Sequence, residues 1–166
     1  MTGSSRRAAG RDVARVPPFD QVLERHGRAV LRFCAAQVGP QRAEDCFQDT
    51  MLAAMRGYGQ LRDPGAIRTW LFSIAARKAT DAHRAHARAP EPTDQIDERA
   101  VAPETTAVDE ALWERVRALP DKQRQAVSLR YRTDLTHREI AQVMDTSEAA
   151  ARRNVFAGLE RLRKDT

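Results

Sequence analysis

Cysteine and aromatic residues are scarce in this 166-residue chain: two cysteines in all, and aromatics at 5%. Two cysteines rule out a disulfide framework as the basis of the fold. Cys34 and Cys46 both fall on apolar helical faces and read as small buried hydrophobes of a cytoplasmic protein. No run approaches ~20 consecutive apolar residues, so no membrane span and no membrane partner are expected. Residues 1–16 are small, polar and arginine-containing, lack the apolar centre of a secretory signal, and are expected to form a disordered basic tail. A glycine-rich phosphate loop, a paired nucleophile and base, and metal-ligand spacing are all missing. An enzyme is therefore not expected, and no cofactor or metal is called for.

What the chain has is charge, unevenly placed. The sequence pI is near 9.9 and the formal charge +5, which favours a polyanionic partner without naming one. Residues 1–88 carry net +7 and residues 112–166 net +4, while residues 89–111 carry net −6. That acidic stretch holds Pro90, Pro92 and Pro103 and no sustained apolar period. It reads as a flexible linker over 89–110, between a helical domain at 17–88 and another at 111–166. The expected fold class is all-α, two small helical domains on an acidic tether.

In the first domain, Phe19, Val22, Leu23, Val30, Phe33 and Cys34 recur at helical spacing from about Pro18 to Gln37, and Gly39-Pro40 ends that helix. A second helix, about Gln41 to Arg56, buries Ala43, Cys46, Phe47, Met51 and Ala54 or Met55, leaving Asp45, Gln48 and Asp49 together on the opposite face. Such carboxylates serve either solubility or docking of a basic protein. A breaker-rich loop around Tyr58 leads to a third helix, about Ala66 to Arg88, with Trp70, Leu71, Ile74 and Ala75 on one side. Arg68, Arg77, Lys78, Arg84 and Arg88 line the other. An aromatic loop beside a basic helix suits single-stranded nucleic acid, whose bases need planar surfaces and whose phosphates need cations. Trp70 taken alone reads more readily as core.

The second domain contains a helix-turn-helix pattern. Thr136 and Glu139 have the spacing of a capping box, and Ile140, Val143 and Met144 share one face of the short helix that follows. Asp145-Thr146 forms the turn, and Ser147 caps a helix from Glu148 to about Arg163 with Ala151, Val155, Leu159 and Leu162 inside. Arg152, Arg153 and Asn154 stand on its outer first turns. Arginine can bond guanine bidentately and asparagine adenine, at the helix end that enters the major groove. A solvated arginine face on a helical hairpin is the plainer alternative.

The motifs in order resemble those of bacterial RNA polymerase sigma factors of the extracytoplasmic-function (ECF) group. Ala43-Glu44-Asp45-Cys46-Phe47-Gln48-Asp49-Thr50 is similar to that family's AED-x-x-Q-(D/E)-(T/V) helix, and Trp70-Leu71, Ile74-Ala75, Asp81 and Arg84 to its WL-x-x-IA segment. Leu119-Pro120, Gln123-Arg124, Leu129-Arg130, Glu139-Ile140-Ala141 and Glu160-Arg161-Leu162-Arg163 follow the pattern of its second domain. Where the family commonly has G-T-V-(K/R)-S-R-L, this chain has Ala149-Ala150-Ala151-Arg152-Arg153-Asn154-Val155, and Arg77 stands in place of a usual asparagine.

The resemblance implies a transcription-initiation factor whose partners are core RNA polymerase, duplex promoter DNA, the melted minus-ten strand and, in many members, an anti-sigma factor. It would assign polymerase binding to Asp45, Gln48 and Asp49. Minus-ten contacts would fall to Tyr58, Arg62, Trp70, Arg77, Lys78, Arg84 and Arg88, and minus-thirty-five contacts to Arg138, Arg152, Arg153 and Asn154. An ordinary helix-turn-helix regulator would account for residues 112–163 and leave the first domain without a role.

Overall fold

The computed structural model describes residues 15–89 and 107–165. Most of the tail expected at 1–16 and of the linker expected at 89–110 lies outside those residues. Among the described residues the chain is helical, with seven α-helices and two short 3₁₀ turns.

Helix α1, Phe19–Val38, forms because Val22, Val30, Phe33 and Cys34 fall on one stripe that packs inward. Leu23, expected on that stripe, is 39% exposed. It lies one residue round from Val22, so the helix cannot bury both fully against the same neighbours. Gly39 stops the helix at φ 87°, a left-handed conformation that glycine adopts without a Cβ clash. Its N–H donates to the Ala35 carbonyl. Pro40 then opens α2, Pro40–Gly57, at a first-turn position where a missing N–H is tolerated. Ala43, Cys46, Thr50, Met51 and Ala54 of α2 are buried. Met55 is 58% exposed, which settles the inner position in favour of Ala54. The Thr50 hydroxyl, also buried, donates to the Cys46 carbonyl at 2.7 Å.

The loop after α2 makes 3₁₀ turns at Tyr58–Gln60 and Pro64–Ala66, the second held by an Asp63 carboxylate accepting the Gly65 N–H at 2.9 Å. Helix α3, Ile67–Arg88, packs Leu71, Phe72, Ile74, Ala75 and Ala79 against α1 and α2. Phe33 and Phe72 meet edge-on with centroids 5.9 Å apart. Each such ring contributes about 1.5–3 kcal/mol by leaving water.

Helix α4, Ala107–Arg117, begins inside the stretch expected to be linker, with Asp109 and Glu110 in a first turn where carboxylates favour a helix. Its Trp113 is held beneath the Arg132 guanidinium, 4.0 Å from the ring centroid. Helix α5, Asp121–Arg132, leads through Asp134, which takes φ 54°, to α6, His137–Val143. There the capping box is complete: the Glu139 N–H donates to Thr136 Oγ1 at 3.2 Å and the Thr136 N–H to Glu139 Oε2 at 2.8 Å. Asp145 turns the chain at φ 50°, the left-handed region that aspartate tolerates better than most residues. Helix α7, Glu148–Lys164, follows, capped by Ser147 Oγ accepting the Ala150 N–H at 3.1 Å.

The two lobes also pack on each other, α1 against α4 and α5, and α3 against α6. One continuous apolar core therefore includes Phe33 and Phe72 of the first lobe with Leu129 and Ile140 of the second.

Candidate nucleic-acid and protein interfaces

On α2 the buried residues Ala43, Cys46 and Thr50 direct Asp45, Gln48 and Asp49 to the opposite side, where all three are exposed. Glu44 is exposed beside them. The result is an acidic face on the more basic half of the chain, open to solvent. Beneath it the Cys34 thiol is pushed well above its ordinary range by its hydrogen bond to Cys46 and by burial. It stays a neutral thiol, as a packing residue should.

The second surface surrounds Tyr58. Its ring stacks edge-on to Phe19, centroids 5.3 Å apart, and lies tilted against Trp70 at 6.1 Å. Its hydroxyl donates to the Pro17 carbonyl. Tyr58 and Trp70 are both half-buried, so they form one fixed aromatic ledge with part of each ring facing water. Gly57 sits over that ledge, and a Cβ there would meet the Trp70 ring at 3.3 Å. Arg62 is exposed and donates to the Gly59 carbonyl at 3.0 Å, which holds the loop.

Further along α3, Arg77, Arg84 and Arg88 are exposed and Lys78 is half-buried. Arg77 and Arg84 line a cleft of about 550 Å³ whose far wall is Gln125, Gln142 and Asp145 of the second lobe. Arg84 pairs with Asp121 at 3.3 Å, and Arg68, the first of the α3 basic series, with Glu139 at 3.3 Å. In this arrangement those two cations are directed to the second lobe.

The third surface is the start of α7. Ala151, Val155 and Gly158 face inward, which leaves Arg152 and Arg153 exposed and Asn154 half-buried. Arg152 is tied to Glu148 one turn back at 3.3 Å, an exposed pair that exchanges readily for another anion. Arg138, in the first turn of α6, is exposed as well. The α6–turn–α7 unit thus presents exposed cations on the first turns of two adjacent helices.

Sequence patterning missed a set of polar residues that join the lobes: Gln37, Arg124 and Ser128, all buried. A signal for the first was present, since Gln37 follows Phe33 by four residues and Cys34 by three, a polar side chain on an apolar stripe.

Comparison with known proteins places both lobes. The family model for sigma-70 region 2 matches residues 22–89, and that for sigma-70 region 4 matches residues 109–162. The chain is 32% identical over 159 residues to the ECF RNA polymerase sigma factor SigD of Mycobacterium tuberculosis, covering 87% of this chain and 75% of that relative. To SigM of Bacillus subtilis, another ECF RNA polymerase sigma factor, it is 28% identical, with 87% and 93% covered. Among solved structures, RpoE of Bartonella quintana in complex with the anti-sigma factor NepR is similar in fold, with TM-score 0.72 and 19% identity over 88% of this chain and 94% of that one. CnrH in complex with the cytosolic domain of CnrY gives TM-score 0.67 and 21% identity, covering 88% and 85%. A basic helix-turn-helix lobe joined to a lobe with an acidic α2 and a basic α3, matched over both parts, makes this chain a member of the ECF RNA polymerase sigma factor family.

Proposed function

We propose that this chain binds core RNA polymerase and directs it to promoters by gripping two DNA elements at once. The observation that carries the reading is the exposed start of α7, where Arg152 and Arg153 stand on the first turns of a capped helix behind a tight turn. That is the geometry with which a recognition helix enters the major groove and meets guanine edges or phosphates. The minus-thirty-five element is assigned to this helix, with Asn154 and Arg138 beside it.

The minus-ten element is assigned to the Tyr58–Trp70 ledge and the α3 cations Arg77, Lys78, Arg84 and Arg88, with Arg62 on the loop. Melting needs no catalytic group. Extruded bases gain stacking and pocket contacts that offset a few kcal/mol of lost pairing, so binding alone shifts the duplex toward its open form. Asp45, Gln48 and Asp49 on α2 supply the polymerase-facing surface, complementary to a basic partner. The likeness to structures solved with anti-sigma proteins supports a partner of that class as a competitor for these surfaces.

Transcription reconstituted from purified core polymerase, this chain and genomic DNA tests the reading. Initiation from discrete start sites is the expected result; a chain that neither binds core nor directs initiation defeats it.

A further inference from the structure

A pocket of about 220 Å³ lies between α1, the turn at Pro64–Ala66 and the first residues of α3. Pro17 and Pro64 wall it, and four polar side chains line it: Gln21, Arg25 and His26 of α1 and Arg68 of α3. No carboxylate is among the lining residues. Gln21, Arg25 and His26 fall at positions i, i+4 and i+5, which puts them on one side of α1.

Two observations separate this pocket from an ordinary solvated basic patch. Among the described residues, the side chains of Gln21, Arg25 and His26 make no hydrogen bond or ion pair with the rest of the chain. Arg68, by contrast, donates to Glu139 and to the Thr133 carbonyl, so it adds charge to the pocket while being held from behind. The second observation is at His26, which is held below its ordinary pKa, first by burial and then by the charges of Arg25 and Arg68. Like charges gathered in a partly desolvated recess make a positive potential that an anion relieves.

The donors match one anion in particular. Arginine bonds phosphate oxygens through two parallel N–H groups, and an imidazole N–H and a glutamine amide supply further donors. A phosphate group has enough oxygens to meet all of them at once. The volume is several times the ~30 Å³ share of one water, which leaves room for that group.

We propose that this pocket is a binding site for a phosphate group, held by Arg25, His26 and Gln21, with Arg68 adding charge. A nucleic-acid strand and a free phosphate monoester present the same oxygens to it. Pro17, which walls the pocket, also accepts the Tyr58 hydroxyl, so an occupant braces the residues that hold the aromatic ledge. The site does not depend on the promoter-binding reading above.

The test follows the His26 ring by proton NMR in the full chain, with His26→Gln identifying its signal among the four histidines. Inorganic phosphate is titrated at an ionic strength kept constant with sodium chloride. The His26 signal should shift saturably, and its titration midpoint should rise by about one pH unit as the anion reaches the ring. Arg25 is exposed, so Arg25→Gln should fold normally, and it should weaken phosphate binding about tenfold or more. Arg28→Gln, exposed on the same helix and outside the pocket, should leave binding unchanged. The same titration with a single-stranded oligonucleotide separates the two sources. An Arg25-dependent response to the strand assigns its backbone phosphates to the pocket; a response to inorganic phosphate alone assigns a free monoester. No saturable change at His26 with either probe overturns the site, as does a response that survives Arg25→Gln or is lost equally in Arg28→Gln.

Discussion

Gly158 of α7 lies so close to Val127 of α5 that a Cβ at position 158 would stand 2.6 Å from Val127 Cγ2. Val127 is buried and β-branched, so in a helix it has almost no other rotamer to move to. The glycine sets how closely α7 seats on α5. In Gly158→Ala the overpacking penalty of about 1–3 kcal/mol should exceed the ~1 kcal/mol gained in helix propensity. The expected outcome is a net loss of stability, read as a lower urea midpoint at unchanged slope.

Base reading by α7 is tested at Arg152 and Arg153. Each change to alanine should weaken promoter use by about 1–3 kcal/mol if the side chain meets a base edge, and the loss should be confined to the cognate minus-thirty-five sequence. Competition binding with cognate and scrambled duplexes separates the cases. Equal losses on both would assign the two arginines to phosphates.

Charge reversal at Asp45 and Asp49 should weaken binding to core polymerase while the full chain's affinity for minus-thirty-five duplex stays unchanged. Both residues are exposed on α2, whereas α7 packs on α4, α5 and α6, so the two effects are separable. Pull-down of core and fluorescence anisotropy on the same preparation provide the comparison.

Acid should destabilise the fold through Asp121. Burial pulls its carboxyl upward, but its hydrogen bonds and ion pairs with Arg124 and Arg84 outweigh that and hold it below its ordinary value. A folded-state value lower than the unfolded one means the stabilisation is present above the unfolded pKa, near 3.9, and lost as pH falls through the folded one. Unfolding midpoints measured between about pH 5 and pH 2 should fall more gently for Asp121→Asn than for the parent.

Removing the α6 cap in Thr136→Ala should cost about 1 kcal/mol. Thr136 accepts the Glu139 N–H, and Glu139 both returns the bond to the Thr136 N–H and reaches Arg68. A double-mutant cycle with Glu139→Gln should therefore be non-additive.

Local chemistry was legible in the linear sequence where neighbours along the chain supply it. Thr136 and Glu139 announce their cap because both partners lie within one turn, and Gly39-Pro40 marks a helix boundary by backbone geometry alone. Burial was less legible where adjacent residues compete for one stripe, as Leu23 and Met55 show. The acidic α2 face and the cations of α7 could be placed on the correct helices, since helical spacing fixes which side chains share a side. Their tasks on polymerase and promoter belong to the experiments above.

The sequence by itself determined α1, α2, α3, α6 and α7, the caps at Thr136 and Ser147, the turn at Asp145-Thr146 and the family, because these depend on short-range spacing and on motifs in order. Only the tertiary structure decided that Gln37 would meet Arg124 and Ser128 across 87 and 91 residues, that Arg68 and Arg84 would turn toward the second lobe, and that the lobes would share a core. The reason is physical: hydrogen bonds and packing between distant segments depend on how whole helix faces fit together, and no periodicity within one helix encodes which other helix will cover it.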